Sequence, residues 1–197
     1  METIHPRRPA AHLERILART IAALRWPFTH RYAAPIWLAL RLYLGWTWLQ
    51  FGIDKLQAGW LTKDAIGPML KLGAEGTLPL PLPIYGQLAA FLLDLGVTPL
   101  ISFAMPLLEL AVGLAFLSGV LIVPAAIGAI VLNLNIILSG IGQFAFDGRI
   151  ITLQLLLIMA WPVAERIGLR PALAQSWAWL RRRLGAPARL PNRTPQV

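Results

Sequence analysis

Apolar residues in this chain follow two patterns. Near both ends they recur at helical spacing among arginines, and in the middle they run almost unbroken. Residues 9–25 carry Leu13, Ile16, Leu17, Ile21 and Leu24 with Arg15, Arg19 and Arg25 interleaved. That spacing predicts a basic amphipathic helix lying on a membrane surface. The carboxyl end mirrors it: Leu173, Trp177, Leu180 and Leu184 share a face, and Arg181, Arg182 and Arg183 supply charge. Between the ends lie four apolar runs, over residues 35–56, 99–119, 122–140 and 149–167. Each is about 20 residues long, the length that crosses ~30 Å of hydrocarbon.

The link between the second and third runs is very short, which predicts an antiparallel hairpin. Pro124 suits the first turn of the third helix, where its missing N–H costs nothing. The longest loop, 57–98, contains Gly67-Pro68 and the extended run Pro79-Leu80-Pro81-Leu82-Pro83. It ends in an apolar stretch, 84–95, closed by Gly96 and Pro99. As a helix that stretch is only ~18 Å long, too short to cross, so a re-entrant or interfacial helix is expected. The expected fold is an all-α integral membrane protein. A four-transmembrane-helix bundle occupies 35–167, with cytoplasmic basic amphipathic segments over 1–34 and 168–197.

Composition agrees. Hydrophobic residues make up 57% of the chain and charged residues 14%, against about 25% charged in a soluble domain. The net charge of +9 would suggest nucleic acid in a soluble protein, but its distribution argues against that partner. Six arginines (Arg7, Arg8, Arg15, Arg19, Arg25, Arg31) precede the first run, and seven (Arg166, Arg170, Arg181, Arg182, Arg183, Arg189, Arg193) lie at or beyond the end of the last. The positive-inside rule then sets both termini in the cytoplasm of a multi-pass protein of the inner or plasma membrane. Trp37 and Trp60 suit aromatic belts at the two interfaces. The first 33 residues hold no secretory apolar segment, and Glu2, Glu14 and the lack of serine argue against an organellar transit peptide. The chain has no cysteine, which removes thiol chemistry and cysteine-held metals. Its three histidines, His5, His12 and His30, all precede the first run, so none can ligate a metal or haem within the spans.

An ionisable side chain at mid-membrane costs ~2.5–3.5 kcal/mol on insertion scales, so each needs a reason. Glu109 falls at the middle of the second run and Arg41 about two turns into the first. Asn133 and Asn135 sit near the middle of the third, and Gln154 a turn and a half into the fourth. Arg41, Gly45, Trp48, Gly52 and Lys55 form one helical stripe, as do Ser102, Pro106, Glu109 and Gly113. Small residues let helices approach closely, so both stripes are expected to face the interior. Arg41 either pairs with Glu109 or extends to the near interface. Glu109 has no such exit and must be paired or protonated. Asn133 and Asn135 are about 200° apart around a helix and cannot share a face. Each serves either as packing glue or as a ligand contact.

Three segments carry a family resemblance: "LALRLYLGWTWLQFGIDKL" (38–56), "PLLELAVGLAFLSGV" (106–120) and "LNLNIILSG" (132–140). In order and content, residues 35–165 resemble the DoxX-like membrane proteins, most closely the DoxD-type branch, the small subunits of thiosulfate:quinone oxidoreductase. The matching positions are Arg41, Gly45, Trp46, Lys55, Glu109, Gly113, Asn133, Asn135 and Gly140. The chain departs from that branch after Gly140, where it reads Ile-Gly-Gln-Phe-Ala-Phe-Asp-Gly-Arg, and in having no cysteine. The resemblance implies a four-helix membrane bundle passing electrons from a sulfur compound or partner enzyme to quinone, a diffusible co-substrate. No cofactor would be bound covalently.

In that role Glu109 and Arg41 would manage the proton and negative charge of a quinone carbonyl under reduction. Asn133 or Asn135 would donate hydrogen bonds to it, Trp48 would stack on the ring, and Lys55 joins them as a substrate-binding candidate. Two other functions fit the residues. One is a non-catalytic anchor or assembly partner of a redox complex, held to membrane lipid or a soluble subunit through its Arg-rich ends. The other is a small transporter, in which buried Arg and Glu are also common.

Overall fold

The computed structural model describes residues 9–77, 83–139 and 142–183. Among these the fold is all-α, with nine α-helices and no strand: α1 (Pro9–Thr29), α2 (Ala34–Gln57), α3 (Ile66–Ala74), α4 (Pro83–Asp94), α5 (Thr98–Ser118), α6 (Ile122–Leu138), α7 (Phe144–Met159), α8 (Trp161–Ala164) and α9 (Leu169–Arg183). Gly140, most of the proline run and the last fourteen residues lie outside the described residues. One described helix, α5, is both long enough and apolar enough to cross a membrane, and α6 is apolar but shorter.

Helices α2, α5, α6 and α7 pack as a closed ring, with α2 on α5 the most extensive contact. Glycines explain that contact. A Cβ on Gly45 would lie 3.0 Å from the Gly113 carbonyl, one on Gly113 2.9 Å from the Gly45 carbonyl, and one on Gly52 3.0 Å from the Pro106 carbonyl. This register runs the two helices antiparallel with their backbones nearly touching. The expected hairpin joins α5 to α6: Gly119 caps α5 in the left-handed region (φ 75°) and Leu121 follows at φ 57°. The core of the ring holds Leu44, Trp48, Phe116, Ile122, Ala126, Ala129, Ile150 and Leu157.

The last long helix differs from the expected 149–167. It starts a turn earlier, because the Gln143 carbonyl accepts the Phe146 and Asp147 N–H groups. Asp147 in that first turn complements the helix dipole. It stops at Met159 because Pro162 has no N–H to continue the ladder, and the chain restarts as α8. Helix α1 reaches Thr29 through Pro27, whose carbonyl accepts the Trp37 Nε1–H at 2.5 Å. Trp37 is therefore buried against Phe28. The loop 57–98 contains the expected short helix as α4 and a further one, α3. They pack together around Leu70, Tyr85 and Ala89. Helix α3 went unpredicted because its nine residues include two glycines and Pro68, the usual marks of a loop.

Candidate functional site

The interior stripes of α2 and α5 meet as expected, but their charges pair differently. Lys55 Nζ donates to Glu109 Oε1 at 2.7 Å. The Glu109 side chain is 1% exposed and that of Lys55 22%. The other carboxylate oxygen, Oε2, is buried without a partner. The ammonium also lies 5.4 Å from the Trp60 ring centroid and 5.7 Å from that of Phe51. Aromatic faces at that distance attract a cation.

Arg41 does not reach Glu109. It is 1% exposed and donates from Nη1 to the Ala164 carbonyl at 2.8 Å, wedged beside Gly119 and Gly168. Side-chain direction accounts for the difference. Every helical Cβ leans toward its own N-terminus. On antiparallel helices this tilts Glu109 toward Lys55 and tilts Arg41 away, toward the C-terminal ends of α5 and α8. Its positive charge complements those ends, where backbone carbonyls lack helical partners.

Two cavities flank the ion pair, and Lys55, Glu109 and Ile136 line both. One, about 400 Å³, is completed by Phe51, Gln143, Phe146 and Asp147. The other, about 250 Å³, lies under α3 and α4 and is mainly apolar, walled by Met69, Leu70, Leu92, Ile101 and Met105. Trp60, Tyr85, Asn135 and Ser139 add its polar edges. Burial pushes the Tyr85 phenol up, and a hydrogen bond with Ser139 opposes that shift.

One carboxylate ties α3 to the rest. Asp64 accepts the Gly67 N–H (2.8 Å), the Thr98 hydroxyl (2.6 Å) and the Ser102 hydroxyl (3.1 Å), and the Ile66 N–H donates to Ser102 Oγ (3.0 Å). The hydrogen bond from Thr98, then that from Gly67, holds the Asp64 carboxyl below the usual carboxylate range. Asp64 thus fixes the start of α3 to the start of α5, over the apolar cavity.

The remaining predicted residues divide. Asn135 lines the apolar cavity and Asn133 points into the ring, so the two do take different faces. Both amide atoms of Asn133 and both of Gln154 are buried without a hydrogen-bond partner, as is Trp48 Nε1. Trp48 is fully buried and lines neither cavity. It stacks edge-on with Phe51, which in turn meets Phe146, and those two rings face the larger cavity. Trp60 was expected at an interface rather than in the site, and Tyr85 and Asp147 were given no role in it. All three come from loop or helix-start positions, and only the packing of α3, α4 and α7 brings them to the pair. Among the described residues no three His, Cys, Asp or Glu side chains cluster to hold a metal.

Comparison of the chain with protein-family models, with curated proteins and with solved structures finds no match.

Proposed function

We propose that the chain is a DoxX-like, four-span membrane protein that binds a quinone at the Lys55–Glu109 pair and takes part in its reduction. α2, α5, α6 and α7 would be the spans. The membrane reading is supported by the outer surface of the ring, where Leu42, Trp46, Leu107, Leu114, Val131 and Leu155 stand 43–60% exposed. Apolar side chains that dense on a helical surface suit lipid rather than water. Both termini would be cytoplasmic, since the arginines gather at the ends of the chain.

The observation that carries the site is the half-buried ion pair opening into two cavities, one of them mainly apolar. A quinone ring fits apolar walls with a few convergent polar groups. Its carbonyl would accept a hydrogen bond from the Lys55 ammonium, which also offsets the negative charge that grows on that oxygen as electrons arrive. With Lys55 turned to the quinone, the Glu109 carboxylate would take up a proton through the larger cavity and pass it to the same oxygen. Asn135 and Tyr85 offer donors for the second carbonyl. Reduction to quinol takes two electrons, which would come from a sulfur compound or a partner enzyme, and two protons, one passed by Glu109 to the first oxygen and one reaching the second from water by way of the Tyr85 hydroxyl. Arg41, Trp48 and Asn133 leave the reacting set and support it from within the ring.

The test is quinol formation in membranes supplied with thiosulfate, comparing wild type with Glu109→Gln. Loss of most of the rate at unchanged protein level is expected. Equal rates would remove Glu109 from the reaction. A non-catalytic anchoring role is the second reading. It is favoured by α1, whose Leu13, Ile16, Leu17, Ile21 and Leu24 are all exposed beside arginines.

A further inference from the structure

At the end of the bundle away from α3 and α4, a trench runs between the α5–α6 turn and the junction of α7, α8 and α9. Its longer part, about 760 Å³, is apolar, walled by Leu121, Ile122, Val123, Pro124, Ile158 and Met159. Trp161, Glu165 and Arg170 close it, and the same three residues line an adjoining hollow of about 390 Å³ with Arg166. The two parts are therefore one feature, apolar along its length and cationic at one end. Arg170 is ion-paired with Glu165, and its guanidinium lies 5.8 Å from the Trp161 ring centroid. The cationic end is thus held in place, and with Arg166 it carries a net charge of +1.

We propose that this trench binds an anionic phospholipid of the inner leaflet. The phosphate would sit between Arg166 and Arg170, the glycerol beside Trp161, and one acyl chain along Val123, Ile158 and Met159. Three features favour this occupant. The trench matches an amphiphile in having an apolar channel that ends in a guanidinium pair. Basic pockets at the cytoplasmic ends of membrane helices suit acidic headgroups. Trp161, 42% exposed, stands where the polar and apolar parts join, the place an indole ring favours at a membrane interface. The inference rests on the membrane reading but not on the quinone site.

Native mass spectrometry of the detergent-purified protein, offered phosphatidylglycerol, phosphatidylcholine or inorganic phosphate in turn, tests it. Wild type should retain one phosphatidylglycerol about tenfold more readily than phosphatidylcholine, and inorganic phosphate should not compete. The double variant Arg166→Gln/Arg170→Gln should lose the preference. Val123→Trp, which fills the channel and leaves both arginines, should lower retention of either lipid. Glu165→Gln, which removes the competing carboxylate, should raise the preference. Equal retention of the two lipids, displacement by phosphate, or a mass showing a second copy or an acidic protein in place of lipid would overturn the assignment. Recovery of the chain from cell extract without detergent would instead overturn the membrane reading itself.

Discussion

Glu109 has one carboxylate oxygen on the Lys55 ammonium and the other buried and free, so the two partners are unequal. Removing the cation leaves a carboxylate with no compensation, whereas removing both charges leaves an apolar seam. Lys55→Met should therefore destabilise the protein by on the order of 3 kcal/mol, and Lys55→Met/Glu109→Leu should recover most of that loss. Thermal unfolding in detergent measures both, and a double variant as weak as the single would contradict the pairing. Arg41 has a different task, bridging the ends of α5 and α8. Gly119 faces it in the left-handed region, where a Cβ would run into the guanidinium. Gly119→Ala should accordingly cost about 1–3 kcal/mol, with quinone binding changed less than stability.

At the scale of elements, the helix pair α3–α4 covers the apolar cavity and is fastened through Asp64. The folded state holds this carboxyl below its unfolded value of about 4. Its contribution is therefore complete above that pH and is lost as pH falls through the lower folded value. The protection of the α3 amides, corrected for intrinsic exchange at each pH, should be high at pH 6 and fall below about pH 4. Asp64→Asn should show low protection at both pH values. A variant as protected as wild type at pH 6 would show that Asp64 is not the fastening.

Much of this level was legible in the sequence. The stripes Arg41–Lys55 and Ser102–Gly113 predicted which faces of α2 and α5 meet, because small residues at intervals of three and four leave few other arrangements. The partner of Glu109 was not legible, since it depends on antiparallel register and on the lean of side chains toward each N-terminus. Nor was α3, whose helix depends on Asp64 receiving hydroxyls from α5, a contact between residues more than thirty positions apart. That Trp48 and Asn133 line neither cavity was not legible for a related reason. Position within a span says that a polar side chain faces inward, but not whether it meets a cavity or a packed core.

For the whole molecule, the proposed four-span bundle with arginine-rich ends would take one orientation across a membrane. The chain contains no cysteine, so single cysteines report topology without background. Thr62→Cys should react with an impermeant maleimide from outside intact cells, and Gln175→Cys only after permeabilisation. The reverse pattern would invert the protein, and equal labelling of both would remove it from the bilayer.

The Lys55–Glu109 pair is the place proposed for quinone binding. Titrating the purified protein in nanodiscs with a short-chain ubiquinone, read by tryptophan fluorescence, tests it most directly, because Trp60 lines the apolar cavity beside Lys55. Saturable quenching is expected in wild type, weakened at least about tenfold by Glu109→Gln and by Lys55→Met, each a loss of about one charge-assisted hydrogen bond. Quenching of equal strength in wild type and both variants would contradict the account.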